Sequence, residues 1–431
     1  MHIHFVGIGG IGVSALARHF HVNGNIVTGS DLSESEITTA LKDLGIKIYK
    51  GHKENNISPD VKKLIYSPAV PNDNSELVKA KKQGIDIKSY PEALGEITKN
   101  YFTITVSGTH GKSTTTSMAA LMMEKAGLDP TVIVGTKLEE FGNSNYRNGE
   151  SKYLLIEADE WQGSLLNYSS NLAIILNLEL EHLDFYKDIE HLIKTFQDFV
   201  DKIDGNLILN KKDKNLKKLT YTKDPHYFSS NMKDSEKIKK ALNVPGVHNL
   251  ENAAAVFKLG EVLGVSEKKI LEGLSRYKGS WRRFQEKTIQ TEIGEIDIVL
   301  DYAHHPTELK ATLQAAREKY EKRDIVAVFQ PHQYQRSMHL KDQFVQAFEE
   351  NPIDRLLVTD IYSVPGREEE WIVNSISSKE LVSKTTKENV EWVSGNLNQI
   401  AQKLTKSLQG DELIVIIGAG DIYKLEEVLR G

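Results

Sequence analysis

Lys112 and Ser113 close the run Val106-Ser107-Gly108-Thr109-His110-Gly111-Lys112-Ser113, which follows the β-rich segment Tyr101 to Val106 and precedes a helix-like segment. A glycine-rich turn at that junction lets consecutive backbone N–H groups approach phosphate oxygens, and the helix N-terminus behind it adds partial positive charge. A lysine there reaches β- and γ-phosphates, and the following hydroxyl suits Mg2+, so the ligand indicated is a nucleoside triphosphate. The run departs from G-x-x-x-x-G-K-[ST], having Val106 in place of the first glycine and offering Gly108 instead. On these residues alone a plain strand-to-helix turn competes with the phosphate loop.

Carboxylates and histidines follow other short apolar runs. Glu157-Ala158-Asp159-Glu160 ends one, and Asn177-Leu178-Glu179-Leu180-Glu181-His182 ends the next. Neighbouring strand ends converge in a parallel sheet, so Glu157 and His182 are expected to face the phosphate loop. Carboxylates suit Mg2+; histidine is a less usual ligand for it, and in isolation His182 reads as a core or surface residue. Asp301-Tyr302-Ala303-His304-His305-Pro306 and Gln330-Pro331-His332-Gln333-Tyr334-Gln335-Arg336 follow two later runs. Paired histidines beside an acid suit zinc, or polar contact to a nucleotide or a carboxylate substrate, and the spacing leaves both open. Arg282 and Arg283 suit either charge stabilisation on transferring phosphates or a surface ion pair.

The elements that must hold these groups are βα units. Strand-like Ile3 to Val6, the turn Gly7-Ile8-Gly9-Gly10-Ile11-Gly12, an apolar run from Val13 to Phe20 and strand-like Ile26 to Ser30 ending at Asp31 form a dinucleotide-fold signature. The turn holds either NAD or another pyrophosphate-bearing nucleotide, or serves only close helix–strand packing. The apolar runs Leu154 to Ile156, Leu172 to Leu176 and Leu207 to Leu209, and later Ile296 to Leu300, Ile325 to Phe329, Leu356 to Val358 and Leu413 to Ile417, read as buried parallel strands. The last runs into Gly418-Ala419-Gly420-Asp421, another strand-to-turn signal, and the lysine-rich stretch 210–240 reads as a solvated face.

A chain of 431 residues exceeds one hydrophobic core, so two or three domains are expected. Charged residues are 26% and apolar ones 39%, and the net charge of −6 comes without a long basic run, which argues against a nucleic-acid partner. Cysteine is absent, removing disulfides, thiolate metal sites and cysteine nucleophiles. No stretch approaches the roughly 20 apolar residues that cross a bilayer, and the N-terminus enters at once on a strand, so the expectation is a cytoplasmic protein with no membrane partner.

Taken in order, these motifs resemble those of the Mur ligases, the ATP-dependent amino-acid ligases of peptidoglycan precursor synthesis. The resemblance spans the whole chain, through the Gly7–Gly12 turn, Gly108-Thr109-His110-Gly111-Lys112-Ser113, Glu157 to Glu160, His182-Leu183-Asp184, His248-Asn249-Leu250-Glu251-Asn252, Arg282-Arg283-Phe284, Asp301 to Glu308 and Phe329 to His332. In that family the short G-T-x-G-K-[ST] loop is the ordinary form, which removes the exception at Val106. The resemblance implies an α/β fold of three domains: N-terminal Rossmann-like over residues 1–99, a central P-loop ATPase with a mostly parallel sheet over 100–285, and C-terminal Rossmann-like over 286–431. It implies ATP and Mg2+, with UDP-N-acetylmuramate and L-alanine as substrates joined through an acyl phosphate on the lactyl carboxylate, in a monomer or a homodimer. Closure of the third domain over the second would exclude water from that intermediate.

Carried over by position, the resemblance gives Gly7, Gly9, Gly10, Gly12, Ser14, Asp31 and Ser67 to the UDP-sugar. ATP would take Gly108, Thr109, His110, Gly111, Lys112, Ser113 and Thr114, with Asn252, Arg283, Asp301 and His304. Ser113 and Glu157 would hold one Mg2+ and His182 a second, while His305, His332 and Arg336 would face the amino acid. The catalytic set is then Lys112, Glu157, His182, Arg283 and Arg336. Where the family's alanine-adding pattern reads P-H-[RK]-[YF]-[ST]-R, this chain has Gln333 and Gln335; Trp161-Gln162 follows Glu160 where Ser-Asp is familiar, and Glu181 replaces an aspartate. Transfer of glycine, serine or a preformed peptide is therefore the alternative within the family, and an NAD-dependent dehydrogenase or a non-catalytic nucleotide-binding module the alternative outside it.

Overall fold

Runs of Ile, Leu and Val too short for helices and apolar on both faces are stable only as strands covered from both sides, and they build three largely parallel sheets. The structure, a computed structural model, describes residues 1–292, 294–364, 368 and 370–430. The chain forms two compact units, one of Met1–Leu178, Ile193–Ser229 and Ala255–Leu274, the other of Glu179–Leu192, Ser230–Ala254 and Ser275–Gly431.

The first unit holds two sheets. One has five parallel strands in the spatial order Lys47–Lys50, Ile26–Asp31, His2–Val6, Lys63–Tyr66, Asp86–Ser89. The other has seven, ordered His226–Phe228, Asn206–Asn210, Leu172–Ile175, Phe102–Ser107, Tyr153–Glu157, Thr131–Leu138, Ser144–Arg147, with only the last pair antiparallel. Phe102–Ser107 lies between Leu172–Ile175 and Tyr153–Glu157, so the phosphate loop emerges flanked by the strand ends that carry Asn177 and Glu157. The helix Lys112–Ala126 is buried at every position from Ser113 to Met123, which is why its sequence lacks a polar stripe. The lysine-rich stretch supplies the edge strand His226–Phe228 of this sheet, and its short helix Ser235–Ala241 belongs to the second unit.

The second unit holds six strands ordered Gln285–Thr291, Gly294–Asp301, Leu413–Ile417, Ile325–Phe329, Arg355–Thr359, Val390–Val393, the first pair antiparallel. Strand residues alternate between two cores. Val299, Ala327, Phe329 and Val415 pack with Leu309, Leu313, Phe344 and Phe348 on one face, and Ile298, Leu300, Val328 and Ile414 with Ile400, Leu404 and Leu425 on the other. Among the described residues, no helix is long and apolar enough to cross a membrane.

Candidate active site

The phosphate loop is built by two glycines and one asparagine. Gly108 and Gly111 have φ of +127° and +86°, in the region that only glycine enters cheaply, and a Cβ on Gly108 would lie 3.0 Å from both the backbone N and O of Asn177. Asn177 clasps the loop three times: its backbone O accepts from Thr109 N at 3.1 Å, its Oδ1 from His110 N at 2.8 Å, and its Nδ2 donates to His110 O at 3.0 Å. Gly111 is the N-cap of Lys112–Ala126 and brings no capping side chain, so the positive end of that helix stays open to an anion. Ser113 and Thr114 are buried in its first turn.

Lys112 Nζ donates to Gly108 O at 2.7 Å, Thr109 O at 3.3 Å and Glu160 Oε2 at 2.8 Å. Burial alone would lower its pKa, but Glu160, Asp159 and Glu157 together raise it above the ordinary lysine value. Beside it, Ser113 Oγ donates to Glu157 Oε2 at 3.0 Å, and Glu157 Oε1 accepts from Gly135 N at 2.5 Å. A hydroxyl and a carboxylate meeting at the mouth of a phosphate loop form the hard-oxygen donor set that Mg2+ prefers.

In the second unit the predicted groups follow the strands Gly294–Asp301 and Ile325–Phe329. The Asp301 carboxylate accepts from Phe284 N at 2.7 Å, Ala303 N at 2.8 Å and Thr312 Oγ1 at 3.2 Å; burial raises its pKa against the pull of Arg283. Arg283 lies 4.9 Å over the Tyr302 ring. His304 has its pKa lowered to about 4 by burial, and His332 is lowered to about 2, foremost by burial and then by His304 and Arg336 beside it. Arg336, itself buried, donates from Nη1 to His332 O at 2.8 Å and from Nε to Glu181 Oε1 at 2.9 Å, with His332 Nδ1 3.2 Å from Nη1. Burial would raise the Glu181 pKa, but Arg336 foremost and the nearby histidines hold it well below the carboxylate range. His182, with φ of +54°, donates its backbone N–H to Glu181 Oε1 at 3.1 Å. Asn252 is buried in the helix Val247–Val262.

Lys112, Ser113 and Glu157 thus gather in the first unit, and His182, Asn252, Arg283, Asp301, His304, His305, His332 and Arg336 belong to the second. Comparison with known proteins adds the family. Residues 2–102 match the model described as "Mur ligase family, catalytic domain", 106–260 "Mur ligase middle domain", and 282–420 "Mur ligase, glutamate ligase domain". The UDP-N-acetylmuramate–L-alanine ligase of Acetivibrio thermocellus is 41% identical over 457 residues, covering 99% of this chain and 95% of that one. The chain belongs to the Mur ligase family. The Clostridium perfringens protein of the same name is 37% identical, over 99% of this chain and 97% of its own. Among solved structures, UDP-N-acetylmuramate-alanine ligase MurC from Thermotoga maritima superposes with a TM-score of 0.80 at 29% identity, covering 99% of this chain and 97% of that one. A murein peptide ligase from Psychrobacter arcticus shares the fold, with a TM-score of 0.74 at 23% identity over 100% and 99%.

In this Mur ligase the N-terminal turn is held partly by the residues assigned to the sugar nucleotide. Gly9 N donates to Asp31 Oδ2 at 2.8 Å, and Gly7 N and Ile8 N donate to Ser30 O at 2.9 and 3.0 Å. Ser14 Oγ donates to Ile11 O and accepts from Asn145 Nδ2, both at 2.8 Å. A Cβ on Gly7 would meet Ser67 Cβ at 3.0 Å, and one on Gly12 the Tyr90 ring at 2.9 Å; Gly10 N closes the turn on Gly7 O at 3.2 Å. Behind the turn, Glu76 is fully buried and accepts from Ser30 Oγ and Asn56 Nδ2 at 2.5 Å.

Several working residues of the Mur ligase carried no local signal. Glu160 stood in the acidic run without a role, Asn177 looked like the polar end of a strand, and Arg282 looked like half of a surface pair. Arg282 is instead buried, 4.7 Å over Tyr302 and 4.3 Å over Tyr423, donating to Gly418 O and Gly420 O at 2.5 and 3.1 Å. His305 caps the helix Pro306–Lys319, its Nδ1 accepting from Thr307 N at 3.2 Å while Glu308 reaches back to the N-cap. The signal for that cap was present in Pro306 and Glu308.

Proposed function

We propose that this Mur ligase joins L-alanine to the lactyl carboxylate of UDP-N-acetylmuramate, coupled to cleavage of ATP to ADP and phosphate, in peptidoglycan precursor synthesis. The observation that carries the reading is the 41% identity, over nearly the full length of both chains, to a protein of that name. The phosphate-loop geometry supplies its chemistry.

A carboxylate resists an amine because oxide is a poor leaving group, whereas an acyl phosphate releases phosphate. The γ-phosphoryl group passes to the lactyl carboxylate, ADP leaves, the amine of alanine attacks the acyl carbon, and phosphate departs as the nitrogen loses a proton. Backbone N–H groups around Gly111 and the helix terminus bind phosphate oxygens, and Lys112 exchanges its contacts with Glu160 and the loop carbonyls for the β- and γ-phosphates. Ser113 and Glu157 would hold Mg2+, with His182 on a second ion, and the metal supplies charge neutralisation on the triphosphate. Asn252, Arg283, Asp301 and His304 serve the nucleotide, His305, His332 and Arg336 the amino acid, and the Gly7–Gly12 turn with Asp31 and Ser67 the UDP-sugar.

The test is phosphate release from ATP with Mg2+ and UDP-N-acetylmuramate across L-alanine, glycine, L-serine and a cell-wall tripeptide. L-Alanine is expected to give the highest kcat/KM. A preference for another amine would move the specificity, and no release with any of them would overturn the reading.

A further inference from the structure

The turn Gly418-Ala419-Gly420, a strand-to-turn signal in the sequence, is packed against side chains of two other segments. A Cβ on Gly420 would lie closest to Gln330 Oε1, and 2.6 and 2.7 Å from Cγ and Cδ2 of Tyr362, so the Gln330 amide and the Tyr362 ring together fill the space a side chain would need. The turn cannot recede, because Arg282 Nη2 bonds the carbonyls of Gly418 and Gly420 and is itself packed among Trp281, Tyr302 and Tyr423.

From Gly420 the contacts run to the amino-acid loop. The Tyr362 ring stacks on His332, with centroids 5.5 Å apart and planes within 6°. Tyr362 N donates to Pro331 O and Gln333 N to Tyr362 O, both at 2.8 Å, so the backbone of Tyr362 pairs with the loop on either side of His332. Gln333 is held there at φ of +70°, a conformation that persists only where neighbours impose it. His332 then fixes Arg336 through its carbonyl and Nδ1, and Glu181 takes Nε. With Nε and Nη1 engaged, Arg336 presents Nη2 to a ligand carboxylate.

We infer that Tyr362, seated on Gly420, is a positioning residue that sets His332, and through it Arg336, for the carboxylate of the incoming amino acid. This rests on the proposed function and adds to it a determinant outside the P-H-x-x-x-R segment. Tyr362 touches neither phosphate-loop nor sugar-turn residues among its described contacts, and His332 meets the nucleotide set through an edge contact with His304 at 5.9 Å, so the loss should fall chiefly on the amino acid.

The experiment is steady-state kinetics of the full chain for all three substrates in Tyr362→Phe, Tyr362→Leu, Gly420→Ala and the Gly420→Ala/Tyr362→Leu double variant. Tyr362→Phe keeps the stack and should behave as the parent. Tyr362→Leu should raise KM for L-alanine about tenfold while KM for ATP and UDP-N-acetylmuramate and kcat stay within about twofold. Gly420→Ala, whose new methyl meets both Gln330 Oε1 and the ring, should also raise KM for L-alanine, and the double variant, which removes the clash with the ring, should show less than the product of the two single effects. An unchanged KM for alanine, equal losses across substrates, or additive effects in the double variant would overturn the inference. Should one variant fail to fold, as read by its melting temperature, the remaining variants still decide. A parent that releases no phosphate with any amine would instead sink the functional reading beneath it.

Discussion

Replacing Lys112 by alanine removes more than a phosphate ligand. The Glu160 side chain is 1% exposed with its Oε2 2.8 Å from Nζ, so Lys112→Ala strands a carboxylate where water hardly reaches. Breaking a buried pair in this way costs about 3–5 kcal/mol, and because the lysine side chain keeps 12% exposure the lower end, about 3 kcal/mol, is expected. For a domain of 150–250 residues that is a fall in melting temperature of about 6–12 °C. The lysine pKa is raised in the folded state, so its share of the pair's contribution is fully present below the unfolded value near 10.5 and is lost only as pH rises through the folded one; the deficit should therefore be present in full at pH 9 and shrink toward acid pH, where the stranded carboxylate takes up a proton. Phosphate release should fall by at least about 100-fold, the scale for losing one group that stabilises developing charge. Adding Glu160→Gln removes the stranded charge and should recover most of the stability with none of the activity. Scanning calorimetry beside the phosphate assay separates the two effects. A Lys112→Ala protein as stable as the parent, or a double variant less stable than the single one, would refute the electrostatic argument, and retained turnover would refute the phosphate-loop assignment.

Two further outcomes are expected. Burial lowers the His19 pKa from 6.5 to about 4, so below pH 6.5 the unfolded chain takes a proton the folded one refuses, and stability falls by up to about 1.4 kcal/mol per pH unit toward pH 4; His19→Gln should flatten the fall in melting temperature between pH 6.5 and 5, and parallel curves for the two proteins would contradict it. Gly108→Ala combines a forbidden φ with a methyl 3.0 Å from the Asn177 backbone, costing about 2 kcal/mol or more and abolishing nucleotide binding by calorimetry; parent-like ATP affinity would count against the loop geometry.

What the sequence discloses here follows from how local each feature is. Lys112 and Ser113 are legible because the loop is contiguous, and the strands Leu172–Ile175, Ile325–Phe329 and Leu413–Ile417 because burial on both faces leaves an uninterrupted apolar run. Glu160, Asn177 and the Glu181–Arg336 pair are not, since each acts on a partner 48, 67 or 155 positions away, and no periodicity encodes which strand ends become neighbours. Tyr362 is hidden further, being one aromatic after one strand whose function depends on a glycine after another. Local chemistry is likewise incomplete at His305, where the paired histidines pointed to ligands and gave no sign that the ring also caps a helix.

The clasp of Asn177 on the His110 backbone imitates the pairing of a neighbouring β-strand, donor and acceptor together, beyond Ile175 and Ser107 where the ladder ends. The loop is in effect a continuation of the pleat rather than a hinged flap. The Thr109 and His110 amides should exchange with solvent as slowly as those of the strand Phe102–Ser107, and a triphosphate would meet a cradle already rigid, with little order left to impose.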